Sequence, residues 1–122
     1  MGLVYVEAFF KSADKRARVN LLVESGATYT VLRREVWMEL GLTPKREVEL
    51  ILADGSTERR QLSEVLIEIP GFGEHHTPVL LGEADDENIL GIVNLEIFGL
   101  ILDPLKRELR PMRTLLKSLP HS

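Results

Sequence analysis

The sequence predicts a mostly-β fold: a closed or sandwich-like β-barrel carrying one or two short helices. Three observations predict it. Short runs rich in β-branched and aromatic residues recur along the chain, several of them alternating apolar with polar positions. Turn signals built from Gly, Pro, Asp and Ser separate these runs about every 8–12 residues. Only brief stretches carry a helical period. In order, "LVYVEAFF" at residues 3–10 and "ARVNLLV" at residues 17–23 flank "KSADKR" and read as a hairpin. "YTVL" is a short β-branched run. "RREVWMELG" changes period, because Leu32, Val36, Trp37 and Leu40 fall on one helical face. Gly41 suits the position just past that helix and Pro44 follows it. Trp37 is expected to pack the helix on the barrel.

Further along, "VELILADGSTERRQL" reads as two strands around Asp54-Gly55, a strong hairpin signal. "EVLIEIPG" alternates through Val65, Ile67 and Ile69, and "TPVLLG" is another short apolar run. "NLEIFG" predicts a one- to two-turn helix capped at Gly99, and "LILD" a strand ended by Pro104. In the tail, Met112, Leu115, Leu116 and Leu119 have helical spacing and predict an amphipathic helix starting near Pro111. "MELGL" and "EIFGL" resemble each other and hint at an internal duplication.

Composition narrows the function. A chain of 122 residues is expected to be one domain over residues 1–122 with one proper core. A net charge of −4 argues against a protein that grips nucleic acid. The absence of cysteine excludes disulfides, zinc–thiolate sites and a Cys nucleophile. The opening "MGLVYVEAFFKS" lacks the basic and small-residue regions of a signal peptide, and Val6 spoils a myristoylation motif. No apolar run approaches the ~18 residues of a membrane span, so a cytoplasmic location without membrane contact is expected. No cofactor or metal is expected either. His75 and His76 are adjacent, chelate poorly on a strand, and are expected in a solvated loop. "EADDEN" at residues 83–88 lacks calcium-loop spacing and reads as an exposed acidic connection.

The stretch that calls for chemistry is "LLVESGATYTVL", where an apolar strand runs into Glu24 and then Ser25-Gly26-Ala27. An apolar pair, an acid, Ser or Thr, Gly and Ala resembles the active-site signature of the retropepsin-like aspartic peptidases. "LADGS" followed by "EVLIEIPG" resembles that family's flap hairpin and the strand after it. "NILGIVNLEIFGLILDP" resembles its second signature, with Ile89, Leu90 and Gly91 followed by a short helix. The resemblance runs from about Val19 to Pro111 and implies a closed acid-protease barrel with a half-site per chain.

What the resemblance implies is chemically coherent. Hydrolysis without metal or nucleophile needs one group to activate water and another to protonate the substrate. Two carboxylates ~3 Å apart share one proton because both cannot ionise. One motif per chain implies a homodimer with one Glu24 from each subunit at the axis. Glu24 is then the catalytic residue, and Ser25, Gly26 and Ala27 form the supporting loop. Ser25 bonds across the interface, and Gly26 lets the turn bend sharply. Leu90-Gly91 packs beneath the acid loop. Ala53, Asp54 and Gly55 form a flap tip over an extended peptide or protein substrate.

The sequence departs from the family in one telling place, since the family's acid is Asp. One more methylene moves each carboxylate by ~1.5 Å. A misplacement of about 1 Å can cost about 100-fold in rate. Two functional expectations therefore stand together: an active endopeptidase, and a catalytically weak or inactive dimer that binds peptides or serves a structural role. A small β-barrel with an accidental acid motif is a third.

Overall fold

The structure is a computed structural model that describes residues 2–112. Strands β1 (Tyr5–Ser12) and β2 (Lys15–Val23) form the first hairpin, paired from Tyr5↔Leu22 to Ser12↔Lys15. The strands run closer to the turn than the polar "KSADKR" suggests. Only Ala13 and Asp14 lie between them, and Ala13 takes φ 53°, in the left-handed region. Next come β3 (Thr30–Leu32), helix α1 (Arg34–Glu39), β4 (Arg46–Ile51), β5 (Thr57–Ile69) and β6 (Gly73–Leu81). Then follow β7 (Ile89–Leu90), helix α2 (Ile92–Phe98), β8 (Leu100–Asp103) and β9 (Glu108–Pro111).

Seven strands form one sheet in the order β1-β2-β7-β3-β6-β5-β4, and a further pairing of β5 with β1 closes it into a ring. Phe10↔Ile67 lies at that closure. β4 hangs outside the ring on β5. At the centre β3 and β7 are antiparallel through Val31↔Ile89, while β2–β7 and β3–β6 are parallel. Closure removes most of the exposed edges that an open sheet leaves. β8 and β9 make a separate two-stranded sheet.

Alternation fills the interior. Ala8 and Phe10, then Val19, Leu21 and Val23, then Val65, Ile67 and Ile69 point inward from their strands, with Val79 and Leu81 opposite. The helices seal the barrel. Trp37 packs on the core, and its indole N–H donates to Gly82 O at 2.9 Å. Gly41 N–H donates to Met38 O and Leu42 N–H to Trp37 O, both at 3.0 Å, with Gly41 at φ 69°. That is the paired-bond helix ending which favours glycine. Gly99 ends α2 in the same left-handed region at φ 66°. The two look-alike segments thus play the same part.

Two expectations are corrected. "TERRQL" and "SEVLIEI" are not separate strands but one continuous 13-residue β5. His75 and His76 lie in β6, not in a loop, opposite Ile67 and Leu66. Polar residues at the exposed end of a strand take their conformation from that pairing rather than from propensity. β9 carries no alternation that marks it in advance, and it forms because β8 pairs with it. Pro111 is the last residue of β9. The tail helix expected over residues 112–119 lies, apart from Met112, outside the described residues. Among the described residues, no helix is long and apolar enough to cross a membrane.

Phe10 is 0% exposed at the seam of the ring. Phe10→Ala is expected to lower unfolding free energy by about 3–5 kcal/mol. A urea titration checks this, with a markedly lower midpoint as the outcome.

Candidate active site

Glu24 stands where β2 ends. Its N–H donates to Leu90 O at 3.0 Å, and its C=O accepts from Ala27 N–H at 3.1 Å, closing a turn over Ser25 and Gly26. The chain then stays fastened to the segment opposite. Ile92 N–H donates to Ala27 O at 2.8 Å and Val93 N–H to Thr28 O at 3.0 Å. Just before the turn, Leu22 N–H donates to Asn88 O at 2.9 Å. The structure thus brings Glu24, Ser25, Gly26 and Ala27 together with Ile89, Leu90 and Gly91. Glu24, Ser25 and Gly26 are exposed, and Ala27 is half-buried.

The two motif glycines do different work. A Cβ on Gly91 would lie 2.5 Å from both the carbonyl carbon and the oxygen of Tyr29. No side chain fits there. Gly26 is the reverse, because a Cβ there meets nothing within 4 Å of it. Its φ is not in the left-handed region. Within one chain, then, the turn does not need glycine to bend, contrary to the sequence-based expectation.

Beneath the loop lies a buried polar chain that the motifs did not reveal. Gly91 N–H donates to Thr30 Oγ1 at 3.1 Å, and the Thr30 hydroxyl donates to Asn94 Oδ1. Asn94 Nδ2–H donates to Thr77 Oγ1 at 3.0 Å, and the Thr77 hydroxyl donates to Pro78 O at 3.0 Å. Thr30 and Asn94 are both 0% exposed. Buried polar groups this well matched fix one arrangement of β3, α2 and β6. A sequence signal did exist: Thr30 and Asn94 are polar residues inside otherwise apolar runs.

Two depressions flank the acid loop. A cleft of about 530 Å³ lies between Ala27, Tyr29 and Val31 on one wall and Leu50 and Leu52 on the other. A second groove of about 430 Å³ runs on the Ser25 side, lined by Ile92, Leu95, Leu100, Ile101 and Met112. The predicted tip residues Ala53, Asp54 and Gly55 are exposed at the end of the β4–β5 hairpin and do not line the cleft. Leu50 of β4 and Leu52 just past its end do so instead. At the tip, Gly55 takes φ 87° and donates its N–H to Leu52 O at 2.9 Å. Ser56 donates both its hydroxyl and its N–H to Asp54 Oδ1. These bonds, the hydroxyl's foremost, hold the Asp54 carboxyl below the ordinary aspartate range.

The acidic segment is more built than expected. Asp86 and Asn88 are half-buried, and Asp86 pairs with Arg60 at 2.9 Å while Glu83 pairs with Arg34 at 2.9 Å. The rings of His75 and Phe98 meet in a T-shaped pair with centroids 4.8 Å apart. Among the described residues no three His, Asp or Glu side chains gather where they could hold a metal.

This arrangement belongs to a recognisable class. A family model described as aspartyl protease matches residues 11–93, from the first hairpin through the second signature. The chain belongs to the aspartyl protease family. The fold is that of the retropepsin-like members. The EIAV protease, solved in complex with an inhibitor, superposes with a TM-score of 0.60 at 18% identity, covering 80% of this chain and 89% of that one. The retroviral protease-like domain of Ddi1 from Leishmania major superposes with a TM-score of 0.57 at 12% identity, covering 91% of this chain and 89% of that one. No curated protein matches by sequence. An accidental acid motif on an unrelated barrel is thereby set aside.

Two predictions come from this geometry. Gly91→Ala is expected to cost about 1–3 kcal/mol through overpacking against Tyr29, whereas Gly26→Ala stays within about 0.5 kcal/mol in the isolated chain; urea midpoints measured at low protein concentration compare the two. The folded pKa of Asp54 is depressed, so its contribution is present above the unfolded value and is lost as pH falls through the folded one. NMR of the Ser56 amide is expected to show a titration midpoint below 3.8, and a midpoint at or above that value contradicts the turn's geometry.

Proposed function

We propose that the protein is an aspartic-type endopeptidase that acts as a homodimer on an extended peptide or protein substrate. One Glu24 comes from each subunit, and the pair shares a proton. The ionised member takes a proton from water while the other gives one to the substrate. The observation that carries this reading is the position of the acid turn. Glu24 is exposed at the end of a strand, on a turn fastened to Leu90 and beside a cleft whose far wall is the β4–β5 hairpin. A peptide laid in that cleft would run under the hairpin, which would serve as the flap.

Two features support the second copy. The groove on the Ser25 side is largely apolar and is bordered by Ile101 and Met112, which are 37% and 40% exposed. The space over Gly26 is empty in the single chain. Apolar surface of this kind, next to a site that has one acid, suits an isologous contact. Neither nucleic acid, membrane nor a cofactor enters the reading.

A second reading is favoured by Glu24 itself. The extra methylene sets the carboxylates off the spacing the chemistry asks for, so the dimer would bind peptides with little or no turnover. One experiment separates the two. A mixed peptide library is incubated from about pH 3 to about pH 7 with the protein, with Glu24→Asp and with Glu24→Gln. The first reading expects Glu24→Asp to match or exceed the parent, by up to about 100-fold, and Glu24→Gln to lose turnover. Peptide binding that Glu24→Gln leaves intact, with no cleavage by the parent, favours the second. Sedimentation at tens of micromolar is expected to give a dimer, and a strict monomer sinks both.

A further inference from the structure

The β4–β5 hairpin leaves the barrel at Leu62. Beyond that residue β5 pairs only with β4, from Leu62↔Arg46 to Thr57↔Ile51. Its pairings with β6 and β1 begin at Leu62 and Leu66. The projecting part is a two-stranded ribbon, and such a ribbon is marginally stable on its own. Its other ion pairs, Arg59–Glu47 at 3.3 Å and Arg60–Glu58 at 3.7 Å, stay within the ribbon. Among the described residues, a single ion pair ties the ribbon to the rest of the molecule: Arg60 Nη2 to Asp86 Oδ2 at 2.9 Å.

This pair differs from an ordinary surface bridge. Arg60 stands opposite Val48, on the ribbon face that carries the half-buried Val48 and Leu50. Its side chain is 16% exposed and that of Asp86 34%. Asp86 does not swing freely, because the same Oδ2 accepts Glu83 N–H at 2.6 Å. The segment it belongs to is anchored further on. Asn88 Oδ1 accepts Arg33 N–H at 2.8 Å, and Asn88 O accepts Leu22 N–H at 2.9 Å. Two residues later Leu90 O accepts Glu24 N–H. Arg60 therefore reaches the very segment that fastens the acid turn.

We infer that Arg60 is a positioning residue: its bond to Asp86 sets the height of the β4–β5 hairpin over the cleft, so that hairpin and acid turn hang from one anchor. The hairpin has no other charged tether among the described residues, and one charge-assisted bond is enough to bias a marginal ribbon. The consequence for a bound peptide rests on the peptidase reading. The tethering itself does not.

The test is backbone hydrogen exchange on the whole protein, comparing the parent with Arg60→Met, Arg60→Lys and Asp86→Asn. Arg60→Met and Asp86→Asn are expected to speed exchange over residues 47–60 about tenfold, with the barrel amides of residues 65–69 unchanged. Arg60→Lys keeps the charge and is expected to stay near the parent. Salt of about 1 M, which shortens the screening length to about 3 Å, is expected to speed the same amides in the parent. This arm decides the matter even where a variant fails to fold. Hairpin exchange that ignores both substitution and salt, or barrel amides that quicken equally, overturns the inference. Where the parent cleaves peptide, Arg60→Met is expected to raise KM several-fold with little change in kcat, and an unchanged KM overturns the positioning role. A parent that cleaves nothing counts against the peptidase reading and leaves the exchange result standing.

Discussion

The structure depends on the close approach of two chain segments that cross beneath the acid turn. Leu90 O and Gly91 lie against residues 24–30, joined by main-chain bonds on both sides of the turn. The approach is tight enough that a single Cβ at position 91 would overlap the Tyr29 carbonyl. Main-chain bonds are insensitive to side-chain identity, so the turn is held in place whether its acid is Asp or Glu. The buried Thr30–Asn94–Thr77 chain then locks the layer below, because leaving any one of its groups unmatched in the interior costs about 1–3 kcal/mol. Glu24 is exposed on top of this platform and contributes nothing to its packing. A group that a fold holds firmly without needing it for stability is free to serve chemistry.

Most of the architecture was legible because closure of a barrel makes alternation obligatory. Most inward positions of the ring are apolar, with Thr30, Ser63 and Thr77 as exceptions, so "ARVNLLV" and "EVLIEI" announce their faces directly. The glycines after each helix were legible for a local reason, since Gly41 and Gly99 sit at left-handed φ where other residues are strained. What stayed hidden was set by partners rather than by pattern. His75 and His76 are strand residues because Ile67 and Leu66 pair with them, and β9 exists because β8 lies beside it. Asp86 and Asn88 looked like members of a solvated acidic run. Their burial comes from Arg60 and from the main chain of Arg33, far away in sequence. The sequence points to the hairpin tip at residues 53–55 because Asp54-Gly55 is its conspicuous feature, whereas Leu50 and Leu52, which line the cleft below it, carry no mark of that role.

The internal likeness between "MELGL" and "EIFGL" has a structural counterpart. In each half a short strand runs into a short helix, the helix ends at a left-handed glycine, and a buried leucine follows: β3, α1, Gly41 and Leu42, then β7, α2, Gly99 and Leu100. The two short strands lie side by side and antiparallel at the middle of the sheet, through Val31↔Ile89. The halves therefore face each other about the centre of the barrel.

The register at that centre also decides what can stand beside the acid. β2 and β7 run parallel, with Leu22 beside Ile89 and Val23 beside Leu90. Carried one residue on, the register sets Glu24 beside Gly91. Position 91 is thus the acid's neighbour on the adjoining strand, and it is the position at which the Tyr29 carbonyl leaves no room for a side chain. The tight crossing that fastens the acid turn leaves no room for a second carboxylate beside Glu24 on that strand. In the dimeric reading proposed above, the other acid would come from a different copy, on the open side of the turn where Ser25 and Gly26 are exposed. The close approach that fastens the acid turn therefore also keeps the position beside the acid bare of any side chain.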